Sequence, residues 1–395
     1  MLDIFLFFLI FTLILAAVAR DPFIFTVFYL VAGAFIFGWW WSRRSLKNLK
    51  YQRIFDNYGF IGEKLPVTLE LENSGWFPIV WLRIQDGLSL EISPIRSYRQ
   101  ALFLGPKQKI RLNYLLEPKR RGYYPVGPFQ AAGGDLLGLG KDIIVEGTAD
   151  YLTVFPKIVP LQTTSFPSRS PLGALRHQLP IFEDPNRPMG KREYQVGDSF
   201  RRIDWKSSAT VGRLQVKLFE PSIDMQVMIL LNLNEGDYET RLKTDAGELA
   251  IITAASIAHW AIERKLSTGL ILNGRDVALD SVKFQHIPSH KGRSQLVKLL
   301  EVMARAAMGP LSPVVDTLNQ EASTLGWGTT LILISGGADD TLFQELYRLR
   351  RSGLNIVLIL IGAISDFKNI EIKARYYSIS LFSVSREKDL EIWRN

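Results

Sequence analysis

The feature that most restricts this chain is its first 41 residues, which are almost free of charge. Ile4 to Ala19 is apolar except for Thr12, Arg20-Asp21-Pro22 interrupts it, and a second apolar run extends from Phe23 to Trp41. At a rise of about 1.5 Å per residue the two runs make helices of about 24 and 28 Å, against a hydrocarbon core of about 30 Å. A two-helix transmembrane hairpin is therefore expected, with helices over about 4–19 and 23–41, the first using Leu2 or local thinning of the bilayer. Trp39-Trp40-Trp41 closes the second run where indole rings prefer to sit, at the interface. Arg43, Arg44, Lys47, Lys50 and Arg53 follow directly. The positive-inside rule puts that end, and with two passes the N-terminus, in the cytoplasm. The expected location is the inner (cytoplasmic) membrane, multi-pass, with the soluble domains facing the cytoplasm. A signal peptide is the competing reading, because Ala17-Val18-Ala19 fits a small-x-small cleavage site. Against it, the leading segment carries Asp3 and no Lys or Arg, and another apolar run follows at once.

At 395 residues the chain is long enough for two or three domains. Its net charge of +8 is modest, and the placement of the basic residues favours an anionic lipid surface over nucleic acid. There is no cysteine, which excludes disulfides, thiolate catalysis and Cys-based zinc sites.

Beyond the anchor the helical period disappears. Val67 to Glu72 alternates apolar and polar, Asn73-Ser74-Gly75 signals a turn, Ile79 to Ile84 reads as the next strand, and Lys109 to Leu116 alternates again. Short strands punctuated by Gly, Pro and Asn predict an all-β sandwich over 46–160, a structural or binding module without a catalytic cluster.

Three phrases in this region and its border stand out: Arg120-Arg121-Gly122-Tyr123-Tyr124-Pro125-Val126-Gly127-Pro128, Gly134-Asp135-Leu136-Leu137-Gly138-Leu139 and Val154-Phe155-Pro156. A longer one follows within the connecting segment 161–224. It comprises Arg192-Glu193-Tyr194, Gly197-Asp198, Arg201 and Ile203-Asp204-Trp205, continued by Ala209 and Leu214. In order and spacing these resemble the domain-of-unknown-function family 58 over roughly residues 60 to 390. The resemblance implies a von Willebrand A-like domain and association with a MoxR-type AAA+ ATPase. Many members carry a Gly/Ser-rich stretch before the signature, where this chain has Pro180 to Pro188.

Asp198, Arg201 and Asp204 recur every third residue and can share one face of a helical or 3₁₀ turn, joined by Arg192 and Glu193. Trp205 offers a large apolar anchor whose N–H needs one partner. The segment reads as an ion network locking the chain, or as a docking surface. Its paired carboxylates also fit acid/base chemistry, but no Cys or Gly-rich phosphate loop supports that, and the nearest His is His177. No catalytic residue is assigned.

From 225 to 395 the pattern is α/β. Met225 to Leu231, Leu270 to Leu272, Leu331 to Ile334, Ile356 to Leu360 and Ser378 to Phe382 have the length and apolarity of covered strands. Asp245 and Glu248 have capping-box spacing before a mostly apolar helix from Leu249 to Ile262. Leu296, Leu299, Leu300, Met303 and Ala307 trace another helical face. Alternating strands and helices predict a doubly wound parallel sheet. The A-type resemblance implies a magnesium site beyond the strand ends, built on Asp-x-Ser-x-Ser, a Thr and a later Asp. Here Asn232, Asn234 and Gly236 stand at the first set and Gly336 at the later Asp, so the site is degenerate and no metal or other cofactor is expected. Glu235, Asp237, Asp339 and Asp340 lie near enough in sequence to rebuild a weak one. His286 and His290 are four apart but flank Pro288, which breaks the helix a zinc pair needs. His259 and the row Arg348, Arg350, Arg351 read as ordinary helix residues.

The expected function is that of a non-catalytic, membrane-anchored scaffold or adaptor. Its partners are the lipid bilayer and a protein such as a MoxR-type AAA+ ATPase, with no nucleic acid and no small-molecule substrate. An envelope-facing adhesion protein and an uncharacterised enzyme are the rival readings.

Overall fold

A computed structural model describes residues 2–19, 22–133, 143–161, 183–195, 198, 200, 203–221, 226–239, 243–279, 285–364 and 366–391. The chain forms two compact units. The first comprises residues 1–158 with 275–282 and 300–307; the second holds the remainder.

The first unit begins with α1 (Leu2–Ala19) and α2 (Pro22–Leu46). Of the described helices, α2 is the one long and apolar enough to cross a membrane, with a mean hydropathy of 1.9. It ends inside the next layer. Leu46 is 2% exposed, packs on Gly133 and shares a core with Leu69, Leu71, Ile79, Leu82 and Phe129.

Nine strands follow: β1 (Leu49–Ile54), β2 (Tyr58–Phe60), β3 (Leu65–Asn73), β4 (Ile79–Leu88), β5 (Ser97–Leu104), β6 (Lys109–Leu116), β7 (Gly122–Gly133), β8 (Ile143–Glu146) and β9 (Asp150–Phe155). One sheet runs β1-β3-β6 and the other β2-β9-β7-β4-β5, with β8 on β7. Both sheets feed the same two apolar cores, as the alternating burial of β3 and β7 requires.

The core also holds charge. Arg53, expected in the basic cluster after the anchor, turns its side chain inward out of solvent: its guanidinium donates to both Asp86 oxygens at 3.1 and 2.7 Å and pairs with Asp150. Tyr114 Oη donates to Asp86 at 2.7 Å. Arg53 occupies an inward position of β1, so alternation and a buried acceptor claim it, not the membrane surface. Burial works against its charge, but the bonds to Asp86 and then Asp150 outweigh that and raise its pKa above the usual arginine value. Arg121, from the first family-like phrase, donates to the carbonyls of Met303, Ala304 and Ala306 at 2.8–3.2 Å within the same unit. The phrase Gly134 to Leu139 lies outside the described residues.

The second unit opens on β10 (Glu183–Glu193), α3 (Trp205–Val211) and β11 (Gln215–Pro221). Within the segment expected to connect the two domains, β10 and β11 form an antiparallel pair whose register shifts near Pro188. Prolines placed off the ladder are tolerated at such irregular edges.

The α/β part contains β12 (Gln226–Asn232), α4 (Lys243–Glu263), β13 (Ser267–Asn273), β14 (Arg275–Asp276), β15 (Gln285–His290), α5 (Arg293–Arg305), β16 (Ala306–Ala307), α6 (Val314–Glu321), β17 (Thr330–Ser335), α7 (Asp340–Arg351), β18 (Asn355–Ile361), α8 (Phe367–Tyr376), β19 (Ser380–Val384) and α9 (Glu387–Glu391). Of these, β14 and β16 pair with each other in the first unit. The main sheet has the order β15-β13-β12-β17-β18-β19, parallel throughout except for β15. Helices α6, α7 and α8 bury Leu318, Phe343, Leu346 and Ile370 against one face, over Leu230, Leu333 and Leu358. Helix α4 lies on β12, β13, β17 and β18 and is buried along most of its length, as its all-round apolarity predicts. Two readings need correction. Asp245 lies inside the first turn of α4, not at its cap, because the helix already runs from Lys243. Ala307, assigned to a helical face, has left α5 and pairs in β16.

Candidate functional site

Two places in the second unit gather the residues singled out by sequence. The first is the signature hairpin. Arg192 and Glu193 end β10 opposite Val216 and Gln215, and Tyr194 N–H donates to the Leu214 carbonyl at 2.9 Å. Arg192 grips Asp198 with both guanidinium nitrogens at 2.7 and 2.6 Å, and the Gln195 N–H reaches the same carboxylate at 2.8 Å. Asp204 is the N-cap of α3, accepting from Ser207 N–H at 3.1 Å and pairing with Lys191 at 2.9 Å. Lys191, and then the Ser207 amide, hold its pKa down from 3.8 to about 2. Gly212 closes the helix at φ 73°, the left-handed cap that favours glycine. Ile203 is buried and bridges to Val216. Arg213 pairs with Glu193 at 2.9 Å.

The expected common face of Asp198 and Asp204 does not form. Each carboxylate turns to a different cation of β10, because cation and N-cap geometry lie closer to hand than each other's neighbours. Gly197 and Arg201 lie outside the described residues. Trp205 corrects the anchor reading: it is 67% exposed, since it opens a two-turn helix with no buried residue. Phe200, 69% exposed, stacks on Tyr194 at 5.8 Å. The polar side chains are thus satisfied within the hairpin while two large rings face outward.

The second place is the crevice beyond the carboxyl ends of β12 and β17, where strand order reverses and open parallel sheets bind ligands. It is closed by the chain's own amides. Asn232 Nδ2 donates to Asp237 Oδ2 at 2.7 Å and Ser335 Oγ at 3.1 Å, while its Oδ1 accepts from Asn273 Nδ2 at 2.9 Å and Asn234 N–H at 3.3 Å. Asn234 Nδ2 joins Asp237 at 3.2 Å, and its Oδ1 accepts from Leu311 N–H at 3.1 Å. Tyr238 Oη, its pKa raised by burial and then by Asp237, donates to the Asn232 carbonyl at 2.5 Å. A Cβ at Gly336 would meet the Tyr238 ring and, at 2.6 Å, the Asp237 carbonyl, so any side chain here would force its neighbours to shift. Gly236 lies in a 3₁₀ turn over Glu235–Asp237. Asp339 caps α7, accepting from Leu342 N–H at 2.9 Å, and Asp340 pairs with Lys373 at 2.6 Å. Among the described residues Asp237 is the carboxylate hydrogen-bonded into this cluster, and it accepts from the side-chain amides of Asn232 and Asn234. Sequence reading missed Asn273 and Tyr238. The signal for Asn273 was present, since it ends the run Leu270-Ile271-Leu272 as Asn232 ends its own strand.

His286 and His290 sit on β15, with His286 2.7 Å from Glu321. Arg348 contacts Glu345 and Asn319, and Arg350 reaches the Tyr377 carbonyl.

Together these features define a mixed α/β protein with, among the described residues, one N-terminal helix long and apolar enough to cross a membrane and two self-satisfied polar clusters. Residues 190–329 match the family described as "Protein of unknown function DUF58". The "Uncharacterized protein YeaD" of Bacillus subtilis (strain 168) is 26% identical over 241 residues, covering 58% of this chain and 58% of that protein. The chain thus spans less than two thirds of that relative. Among solved structures, the CARDB domain of the PF1109 protein from Pyrococcus furiosus matches at 13% identity and a TM-score of 0.20, covering 27% of this chain and 91% of its own. Proximal thread matrix protein 1 from the mussel byssus matches at 11% identity and a TM-score of 0.32, covering 43% of this chain and 46% of its own. Scores this low carry no argument about fold.

Proposed function

We propose that the chain is a non-catalytic, membrane-anchored scaffold that docks a protein partner through its signature hairpin. The observation that carries this is the division of labour there: Arg192, Asp198, Lys191 and Asp204 satisfy one another, while Phe200 and Trp205 stand exposed. Aromatic side chains of this kind are the usual energetic anchors of interfaces. The family resemblance suggests a MoxR-type AAA+ ATPase as the partner. α1 and α2 form a hairpin through the inner membrane with Arg43, Arg44 and Lys47 inside, so the soluble units meet that partner in the cytoplasm. The sheet order and its switch point at β12 and β17 support a von Willebrand A-like reading, and the amide-filled crevice supports recognition without a bridging metal.

Full-length chain captured from native membranes should bring down an AAA+ ATPase, and Trp205→Ala should lose it while melting like wild type. Equal capture by the variant would overturn the docking reading. A reporter active only outside the cytoplasm, fused after Asn395, should stay silent, which separates the scaffold from an envelope-facing adhesion protein.

A further inference from the structure

The loop joining β3 to β4 carries Trp76, which is 82% exposed; no large apolar side chain among the described residues is more so. Its position is not free. Asn73 Nδ2 donates to the Phe77 and Gly105 carbonyls at 2.8 and 3.0 Å, and Ser74 donates through N–H and Oγ to the Asn48 carbonyl at 3.0 and 2.9 Å. Phe77 packs edge-on against Trp40 and Trp41, with ring centroids 5.5 and 4.8 Å apart, and Trp41 Nε1 donates to the Pro78 carbonyl at 3.0 Å. The loop is therefore held at the level of the tryptophans that end the apolar part of α2, and Leu46 fixes that helix in the sandwich core.

We propose that this loop is a second membrane-contacting element: Trp76 enters the headgroup region of the bilayer that α2 crosses and seats the sandwich on the lipid surface. The proposal rests on reading α2 as a span. The interfacial layer is about 5–8 Å deep on each side of the hydrocarbon, and indoles concentrate there because one edge is polar and the rest apolar. Lys107 Nζ lies 5.5 Å from the Trp76 ring centroid and donates to the Ser74 carbonyl at 2.6 Å. With Arg43, Arg44 and Lys47 it gives the lipid-facing end a positive charge that suits anionic headgroups. Val80, Trp81 and Phe103 are exposed on the β4 and β5 ends that meet this loop, so the apolar contact extends past a single ring.

The chain contains no cysteine, so a single one can be introduced and labelled without background. Trp76→Cys, Phe103→Cys, Ile36→Cys within α2 and Ile95→Cys, each in the full chain, are labelled with nitrobenzoxadiazole. They are then reconstituted into phosphatidylcholine vesicles containing phosphatidylglycerol. Ile95 follows the far end of β4, about 30 Å along the strand from the loop. Labels at 76 and 103 should be quenched by lipid-borne nitroxides and be several-fold less accessible to aqueous iodide than the label at 95. Phe103→Cys keeps Trp76 in place, so a weakened contact in the first variant does not decide the result. Equal iodide access at 76, 103 and 95, with position 36 protected, would overturn the proposal and leave the span standing. Protection at 76 without nitroxide quenching would assign the loop to a protein cover and overturn it too. Open access at position 36 would remove the span and the proposal together.

Discussion

The sandwich and the parallel sheet each bury a polar cluster, and they solve the problem in opposite ways. In the sandwich, Arg53, Asp86 and Tyr114 are tied as a charged group with Asp150 at its edge. At the crest of the sheet, Asn232, Asn234 and Asn273 form a neutral lattice around Asp237. Removing one partner from a buried ion pair strands the other charge, whereas an amide lattice loses ordinary hydrogen bonds. The first arrangement holds two sheets together. The second fills a place where such sheets otherwise bind ligands, with groups of no net charge except one carboxylate.

That contrast can be broken by substitution. Asp86→Ala should have the largest effect, about 3–5 kcal/mol, because Arg53 is left buried without its main partner. Chemical denaturation of the full chain in detergent, followed by fluorescence, measures it, and a loss near zero would mean water enters the sandwich. Asn232→Asp should come next, about 3 kcal/mol at neutral pH, since it removes donors from Asp237 and Ser335 and sets two carboxylates together. Burial and Asp237 would raise the new group's pKa, so the deficit should be greatest above that pKa and shrink as pH falls and the group protonates. Millimolar magnesium should not restore the lost stability; restoration would expose a latent cation site. Gly336→Asp should cost about 1–3 kcal/mol by overpacking against Tyr238.

Asp204→Ala tests the signature hairpin more gently, by removing a cap and a pair with Lys191. Because the folded carboxyl titrates at about 2 and not at 3.8, its contribution is complete above 3.8 and fades as pH falls toward 2. Acid unfolding curves of variant and wild type should therefore differ near neutrality and converge below about 2. Trp205→Ala should change stability least, by no more than about 0.5 kcal/mol, as expected of an exposed site.

What the sequence made legible was periodic. Alternation located β3 and β6, and apolar runs located β12, β17 and β18. The sandwich network was invisible because Arg53, Asp86 and Tyr114 lie on three strands with no motif among them, and only pairing brings them together. Arg53 was misread for the same reason: linear proximity to Arg43 and Arg44 suggested a surface cluster, while strand parity turned it inward. The three-residue spacing of Asp198, Arg201 and Asp204 suggested a shared helical face, but β10 supplied cations that spacing alone does not reveal. Trp205 reads from sequence as an apolar anchor, but α3 is too short to bury it and leaves the ring exposed.

The joint between α2 and the sandwich has a mechanical consequence. Leu46 is the last residue of the helix and a member of the core, and β1 starts at Leu49, so no flexible tether separates the two. If α2 spans a bilayer as proposed, a thinner or thicker bilayer changes the tilt at which the helix matches its surroundings. A stiff joint passes that angle on, and the sandwich turns with the helix like the head of a lever. On the proposed spanning reading of α2, bilayer thickness then becomes an orientation of the sandwich.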